Sequence, residues 1–205
     1  MNFSNYADFR TKVQTLIDGD DISVSDLSAN TLDLIISMGE QRLYREVRSS
    51  AMDAALSLTI TANAATIPTD CLELRSVYIS GEKPLEIIPY ETYLTYLSGS
   101  TSEAQATYAA QVGETLVFWP AATGTLLGRY YKKFSDISSG ITSNTLFSRH
   151  PDIFVYAALA ESAPFIGDNK RLPIWEAKYA ALVQAVNHEE RRRSWNSSSL
   201  RVRVA

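Results

Sequence analysis

Residues 54–60 read AALSLTI, so that Leu56, Leu58 and Ile60 alternate with smaller or polar residues. This period of two is typical of a β-strand that buries one face, and it recurs in short segments as far as Phe134. Turn-forming residues, such as SGEKP at 80–84, separate these segments and suit hairpins of antiparallel strands. The sequence therefore predicts an antiparallel β region over residues 54–134, with one short helix from Tyr90 to Leu97.

Helical spacing flanks this region on both sides. Before it, apolar residues predict one helix over residues 4–18 and a longer one over residues 26–48. After it, a helix is expected to start at His150-Pro151-Asp152 and to continue until Pro164 and Gly167 break it, and a last helix carries a stripe from Trp175 to Val186. The predicted fold class is α+β: a helical bundle with an inserted small antiparallel β region. The predicted divisions are residues 1–53 (N-terminal helices), 54–134 (β region), 135–193 (C-terminal helices) and 194–205 (extended tail).

The helix predicted over residues 26–48 has apolar residues on two faces. One stripe contains Leu32, Ile35, Ile36, Gly39, Leu43 and Val47, and a second, roughly opposite, contains Leu27, Leu34 and Met38. A helix of a small monomer usually buries one face. Two stripes therefore indicate either a central place in the bundle or a contact with another subunit, and the sequence leaves both interpretations open.

The composition limits the class of protein. The chain has 205 residues, of which 45% are apolar and 20% charged, as in ordinary globular domains. With Cys71 as its one cysteine and with two histidines, it has neither an internal disulfide nor an all-Cys/His zinc site, which fits a reducing cytosolic origin. The first 17 residues lack the apolar run of a signal peptide, and no stretch is long and apolar enough to span a membrane.

Charge is distributed unevenly along the chain. Residues 187–205 contain five Arg and two Glu, whereas residues 1–186 contain 14 basic and 21 acidic residues. An acidic body argues against a nucleic-acid-binding surface. The basic end combines arginines, a tryptophan and an alternating strand-like segment, which favours docking into a partner over a frayed terminus. The residues expected to dock are Arg191, Arg192, Arg193, Trp195, Leu200, Arg201, Val202 and Arg203.

Motifs of catalysis are missing from the sequence, which has no phosphate-binding loop, no dinucleotide fingerprint and no nucleophile elbow. His150 beside Asp152 could belong to a hydrolytic triad, but nothing in the sequence fixes a serine near it, so a histidine at a helix start is favoured. We therefore expect no enzyme activity, no catalytic residue, no metal and no cofactor. Tyr130 and Tyr131, flanked by Arg129 and Lys132, leave single-stranded nucleic-acid binding as an alternative.

Several segments together resemble the head-to-tail adaptor (connector) proteins of tailed bacteriophages. The segments that carry this resemblance are CLELRSVYI at 71–79, VFWP at 117–120, Tyr130 with Tyr131, and above all HPDIFVYAALAESAPFI at 150–166, followed by Trp175 and Tyr179. The resemblance covers most of the chain from about Ile67 to Arg193. The N-terminal helices fit by their arrangement alone.

This resemblance implies a structural virion protein of the head–tail junction, assembled in the host cytoplasm. It would form a homo-oligomeric ring, twelvefold, beneath the portal protein, and would offer a docking platform to a tail protein of the nozzle or tail tube. Genome DNA would pass through the ring without sequence-specific binding. Leu27, Leu34 and Met38 would then face a neighbouring subunit, and the basic tail would reach the portal. A virion-associated cell-wall hydrolase and a single-stranded nucleic-acid-binding protein are the alternatives.

Overall fold

The computed structural model describes residue 3 and residues 5–18, 28–99, 105–138, 143–167 and 170–196, with residues 194–196 described by their backbone. This part of the chain is α+β, with six α-helices and seven strands. The helices are α1 (Tyr6–Asp18), α2 (Ala29–Glu46), α3 (Tyr90–Leu97), α4 (Thr145–Arg149), α5 (Pro151–Ile166) and α6 (Leu172–Asn196). The strands are β1 (Asp53–Ile60), β2 (Ala64–Thr66), β3 (Cys71–Ile79), β4 (Glu86–Ile88), β5 (Tyr108–Val112), β6 (Thr115–Trp119) and β7 (Gly124–Lys132).

The prediction of a helical bundle with a small inserted β region is wrong. The strands form two sheets, of three and four strands, rather than a minor insert. The helices are distributed along the chain, and α3 follows β4 and precedes β5 in sequence, both of which are strands of the second sheet. The period of two correctly indicated strands, but it carries no information on how many of them pair together, because pairing is a long-range choice.

The chain divides into two compact units, residues 1–51 with 134–205, and residues 52–133. In the first unit α5 is the central helix, and both α2 and α6 pack against it. It is apolar on nearly all sides, as a fully surrounded helix must be. Its buried residues are Ile153, Phe154, Val155, Ala157, Ala158, Leu159, Ala160, Ser162 and Ala163.

Several helix boundaries differ from the prediction. Ser28 caps α2, its Oγ accepting the Thr31 N–H at 3.2 Å, whereas the start predicted at residue 26 lies outside the described residues. Of the two residues predicted to break α5, Pro164 lies inside it, and the helix ends at Ile166, before Gly167. Helix α6 continues to Asn196, so residues 194–196, predicted to be extended, are helical.

In the second unit the two sheets share one core. One sheet has the order β1-β7-β3 and is antiparallel, and the other has the order β2-β6-β5-β4. The hairpin predicted at residues 80–84 is limited to one antiparallel bridge between Tyr78 and Pro84, and β4 then pairs in parallel with β5 in the other sheet. Buried residues of both sheets meet in this core, among them Leu56, Ile60, Ala65, Val77, Ile79, Ala109, Leu116, Phe118 and Leu126.

Helix α3 packs on the second sheet at the side away from this core. Tyr93 is buried there with Ile88 and Ala110. The Tyr96 ring stacks between its neighbours, 4.9 Å from the ring of Tyr108 and 5.0 Å from that of Trp119, measured between ring centroids. The inner face of α3 is thus used for packing within the chain. Its bounds agree with the prediction from the sequence.

Candidate interaction surfaces

Helix α2 buries one of its two apolar stripes and exposes the other. Leu32 and Ile35 are buried, whereas the side chains of Leu34 and Met38 are 53% and 38% exposed. Leu27, the third member of the second stripe, lies outside the described residues. The central place among the described helices belongs to α5 rather than to α2. The outer stripe is therefore available to another molecule, and its role as a subunit contact stays a prediction.

The inner stripe holds α2 very close to α5. At Gly39 an added Cβ would lie 2.9 Å from the carbonyl carbon of Ala157 and 2.9 Å from the nitrogen of Ala158. Both are backbone atoms, so the approach leaves no room for a side chain. This contact fixes which face of α2 points inward and, as a consequence, which face points outward.

An ion-pair network centred on Arg42 joins α2 to α6. The guanidinium of Arg42 donates two hydrogen bonds to the Glu176 carboxylate, at 2.8 and 2.7 Å. It also donates to Glu46 at 3.3 Å and to Glu161 at 3.4 Å, and it lies 4.5 Å from the centre of the Tyr179 ring. These hydrogen bonds raise the pKa of Arg42 and lower the pKa of Glu176. The bidentate geometry holds α6 in register against α2.

Acid is expected to weaken this network. The pKa of Glu176 is lowered in the folded state by the hydrogen bonds from Arg42, so the stabilisation is present above the unfolded pKa of about 4.3 and is lost as pH falls through the folded value. The Glu176 side chain is 39% exposed, so solvent screening limits the contribution to about 1 kcal/mol. Urea unfolding should show that Glu176→Gln costs stability at neutral pH and costs less near pH 3.

The matched control is Glu189→Gln, because Glu189 is an exposed glutamate of the same helix with no ion pair among the described residues. Its effect should be near zero at both pH values. A loss of stability by Glu176→Gln that is equal at the two pH values would contradict the assigned role of this carboxylate.

A buried carboxylate fixes the chain that follows the β unit. Glu40 on α2 is 2% exposed, and both of its oxygens accept the Ile137 N–H at 3.1 Å. Gln41 donates to the Asp136 carboxylate at 3.1 Å in the same segment. The sequence analysis missed Glu40 and Arg42, because a charged residue in an amphipathic helix is normally expected to face solvent. The i,i+4 spacing of Arg42 and Glu46 was the available signal that Arg42 takes part in an ion pair.

The C-terminal end of α6 is attached to the residues after α2. Asn187 accepts the Arg48 N–H at 2.9 Å and donates to the Glu46 carbonyl at 2.9 Å. Glu190 accepts the Ser50 N–H at 2.7 Å. Beyond this attachment the predicted portal-binding residues Arg191, Arg192 and Arg193 are exposed. Trp195 belongs to α6 by its backbone, whereas Leu200, Arg201, Val202 and Arg203 lie outside the described residues.

A cavity of about 390 Å³ at this end is lined by Ser49, Ser50, Arg149, His150, Val186, Glu189, Glu190 and Arg193. Serine, histidine and glutamate thus lie together here, although nothing in the sequence fixed a serine near His150. The Ser50 Oγ accepts from Arg193 at 2.7 Å and from Arg149 at 3.4 Å, and the His150 side chain makes no hydrogen bond within the described part of the chain. A triad needs serine bonded to histidine and histidine to an acid, so this geometry does not support the hydrolase alternative.

The tyrosine-rich strand β7 is occupied within the chain. Tyr130 and Tyr131 are 6% and 8% exposed, so their rings offer no stacking platform. The Arg129 guanidinium pairs with Asp53 at 2.6 Å, and the Lys132 ammonium pairs with Asp70 at 3.3 Å. Since neutralised cations and buried rings do not attract single-stranded nucleic acid, the geometry of β7 disfavours that alternative as well.

Comparisons with known proteins agree with the resemblance drawn from the sequence. A family model described as SU10 adaptor protein matches residues 4–203. No curated protein matches the chain. Within the described ranges no helix is long and apolar enough to cross a membrane, and no group of three or more His, Cys, Asp or Glu is arranged to hold a metal ion.

Proposed function

Since this chain belongs to the SU10 adaptor protein family, a family of phage head-to-tail adaptors, we propose that it assembles into a ring beneath the portal and offers the tail a docking platform. As a phage adaptor it is a structural virion component that works with other head and tail proteins. The proposed ring is twelvefold, lies at the head–tail junction and is built in the host cytoplasm. Its proposed partners are the portal above it and a nozzle or tail-tube protein below it, with DNA passing through without sequence-specific binding.

The observation that carries the ring is the exposed outer stripe of α2. A ring that closes by rotation uses two different patches on each copy, because every contact is head-to-tail. Leu34 and Met38 supply large apolar side chains for one patch, 53% and 38% exposed in the single chain. Because Leu34 and Met38 lie one helical turn apart, they form contiguous apolar surface, and contiguous apolar patches rather than single exposed residues mark interaction sites.

The test compares the protein alone with the protein mixed with portal rings of the same phage. Because the ring is proposed to assemble on the portal, the isolated chain should be monomeric or weakly associated at low micromolar concentration. Mass measurement in solution checks this, and electron microscopy of the mixture should show one adaptor ring per portal. A mixture in which portal rings remain bare would overturn the proposed function.

Deleting the tail is expected to weaken portal binding without destabilising the fold. A chain that ends after Ser194 keeps the buried residues Trp175, Tyr179, Val183 and Val186 of α6, so its melting temperature should not change. Hot-spot Trp and Arg residues commonly contribute about 2 kcal/mol each to binding, so affinity should fall at least about 30-fold. Co-sedimentation with portal rings measures the loss.

Charge reversal provides the comparison for the tail. Arg201→Glu with Arg203→Glu should weaken binding less than the deletion does, and more at low salt than at high salt, because peripheral charges are screened over about 10 Å at 0.1 M ionic strength. Equal binding by the deleted and full-length chains would show that the tail does not dock.

A further inference from the structure

Helix α3 presents an unpartnered apolar face. Tyr90, Leu94 and Leu97 occur at positions i, i+4 and i+7, which places them on one side of the helix, and they are 40%, 45% and 57% exposed. The opposite side, with Tyr93 and Tyr96, packs on the second sheet. Glu91 lies beside the exposed side chains and is itself exposed. We call Tyr90, Glu91, Leu94 and Leu97 the α3 face.

The acidic charge of the α3 face is uncompensated. Between Leu85 and Ser98 the charged residues are Glu86 and Glu91, and both are exposed. Neither makes an ion pair among the residues that the structure describes. On β4, Glu86 points to the same side of the sheet as Ile88, which is the side that α3 covers. The face is therefore apolar at its centre and acidic at its edge.

A second apolar surface, of opposite charge, lies on α6. Its side away from α5 exposes Ile174, which is 61% exposed, and two shallow depressions of about 480 and 630 Å³ follow along the helix. Their lining includes Ala177, Lys178, Ala181 and Ala185. We call Ile174, Ala177, Lys178, Ala181 and Ala185 the α6 outer face.

The charge on the α6 outer face is basic. Lys178 is its one charged residue; it is exposed and makes no ion pair within the described ranges. Beyond Ala185 the exposed Glu189 and Arg192 carry opposite charges. No acidic residue lines either depression. The α6 outer face thus combines an apolar floor with one cation, and the α3 face combines apolar side chains with an acidic edge.

The two faces also match in size. An eight-residue helix such as α3 is about 12 Å long, and the rise from Ile174 to Ala185 is about 16 Å. Leu94 and Leu97 project outward, whereas Ala177 and Ala181 leave depressions, so side chains of one face can enter the other. A patch and a different, complementary patch on the same chain form a head-to-tail contact when two copies meet.

We propose that the α3 face of one copy seats on the α6 outer face of the next copy. This inference rests on the proposed ring and names one contact between neighbouring copies, in addition to the outer stripe of α2. Each copy then contributes its α3 face to one neighbour and its α6 outer face to the other. The outer stripe of α2 belongs to the same compact unit as α6, because both helices pack against α5. Charge complementarity selects a second copy over other occupants, since both halves of the match belong to this chain.

Cysteine cross-linking tests the contact directly. In a Cys71→Ser background, one variant carries Leu94→Cys and another carries Ala181→Cys. Mixed on portal rings and oxidised, the two should give a disulfide-linked dimer, whereas each alone should remain monomeric, because the contact joins different faces. Ser57→Cys, an exposed position of β1, replaces Leu94→Cys in the control mixture and should give no dimer.

A charge exchange provides the second measurement. Glu91→Lys or Lys178→Glu alone should lower the number of copies retained on portal rings at limiting concentration, with roughly tenfold weaker assembly for each, and the two together should restore most of the loss. Glu114→Lys, an exposed glutamate in the β5–β6 turn, should change nothing.

The outcomes separate this contact from the ring itself. Rings that form on the portal without a dimer between the Leu94→Cys and Ala181→Cys variants, or without rescue by the double charge exchange, would overturn the contact and leave the proposed function standing. Wild-type protein that never assembles on portal rings would overturn both.

Discussion

Replacing both Leu34 and Met38 with glutamate is expected to abolish ring assembly while the monomer remains folded. Both side chains are exposed in the single chain, at 53% and 38%, so little apolar contact within the monomer is lost. In an assembled ring the same positions would be covered, and burying two unpaired carboxylates costs several kcal/mol. Electron microscopy on portal rings should show bare portals, and circular dichroism should show an unchanged melting transition.

Leu16→Glu is the matched control for this pair. Leu16 is 42% exposed on α1, so it tests whether any added carboxylate on an exposed apolar position prevents assembly. It should leave rings intact. If the α2 double variant unfolds, its outer stripe is part of the monomer core; if it assembles normally, the stripe does not face a neighbouring subunit.

Giving Gly128 a side chain is expected to cost the β unit much of its stability. An added Cβ would overlap the Ser76 carbonyl oxygen and would lie 3.2 Å from the Val77 Cα, and backbone atoms cannot rotate out of the way as a side chain can. Strand β3 is irregular beside this point, with a register shift between Leu74 and Ser76. We expect Gly128→Ala to destabilise by about 3 kcal/mol and Gly128→Val by more, measured by urea unfolding.

Gly99→Ala is the control, because an added Cβ there would lie 3.4 Å from the Tyr96 carbonyl oxygen, which is near ordinary contact distance. Its effect should stay within about 0.5 kcal/mol. A Gly128→Ala variant as stable as the native protein would show that β3 and β7 can separate at the irregularity without loss.

Local elements of the fold could be predicted from the sequence because their signals are local. Alternation predicted the strand β1, and the sequence also predicted α3 from Tyr90 to Leu97. The Pro151-Asp152 start predicted the beginning of α5. Periodicity of this kind depends on which face of an element is buried, and it also separated the two stripes of α2. The adaptor family was likewise recognised from segments of the chain alone, and the family comparison confirms it.

The pairing of strands and the contacts between residues far apart in the chain could be seen in the tertiary structure alone. The alternation of residues 85–88 is satisfied equally by a hairpin with β3 and by the parallel partner β5 that the structure shows. From the sequence, a glycine in the middle of a helix or a strand is expected to destabilise that element. The structure shows instead that Gly39 allows the close approach of α5 and that Gly128 allows the close approach of β3. From the sequence, Arg42 is expected to be a solvated charge. In the structure it pairs with Glu176, which lies 134 residues further along the chain.

The sequence by itself therefore determined the elements, their buried faces and the family. The partition into two sheets, the close backbone contacts and the apolar surface that α3 leaves exposed were decided by tertiary structure. The physical reason is that burial of one face imposes a short period that any neighbour can satisfy. Which neighbour covers it depends on packing and hydrogen bonding between residues far apart in the chain, and no local pattern records that choice.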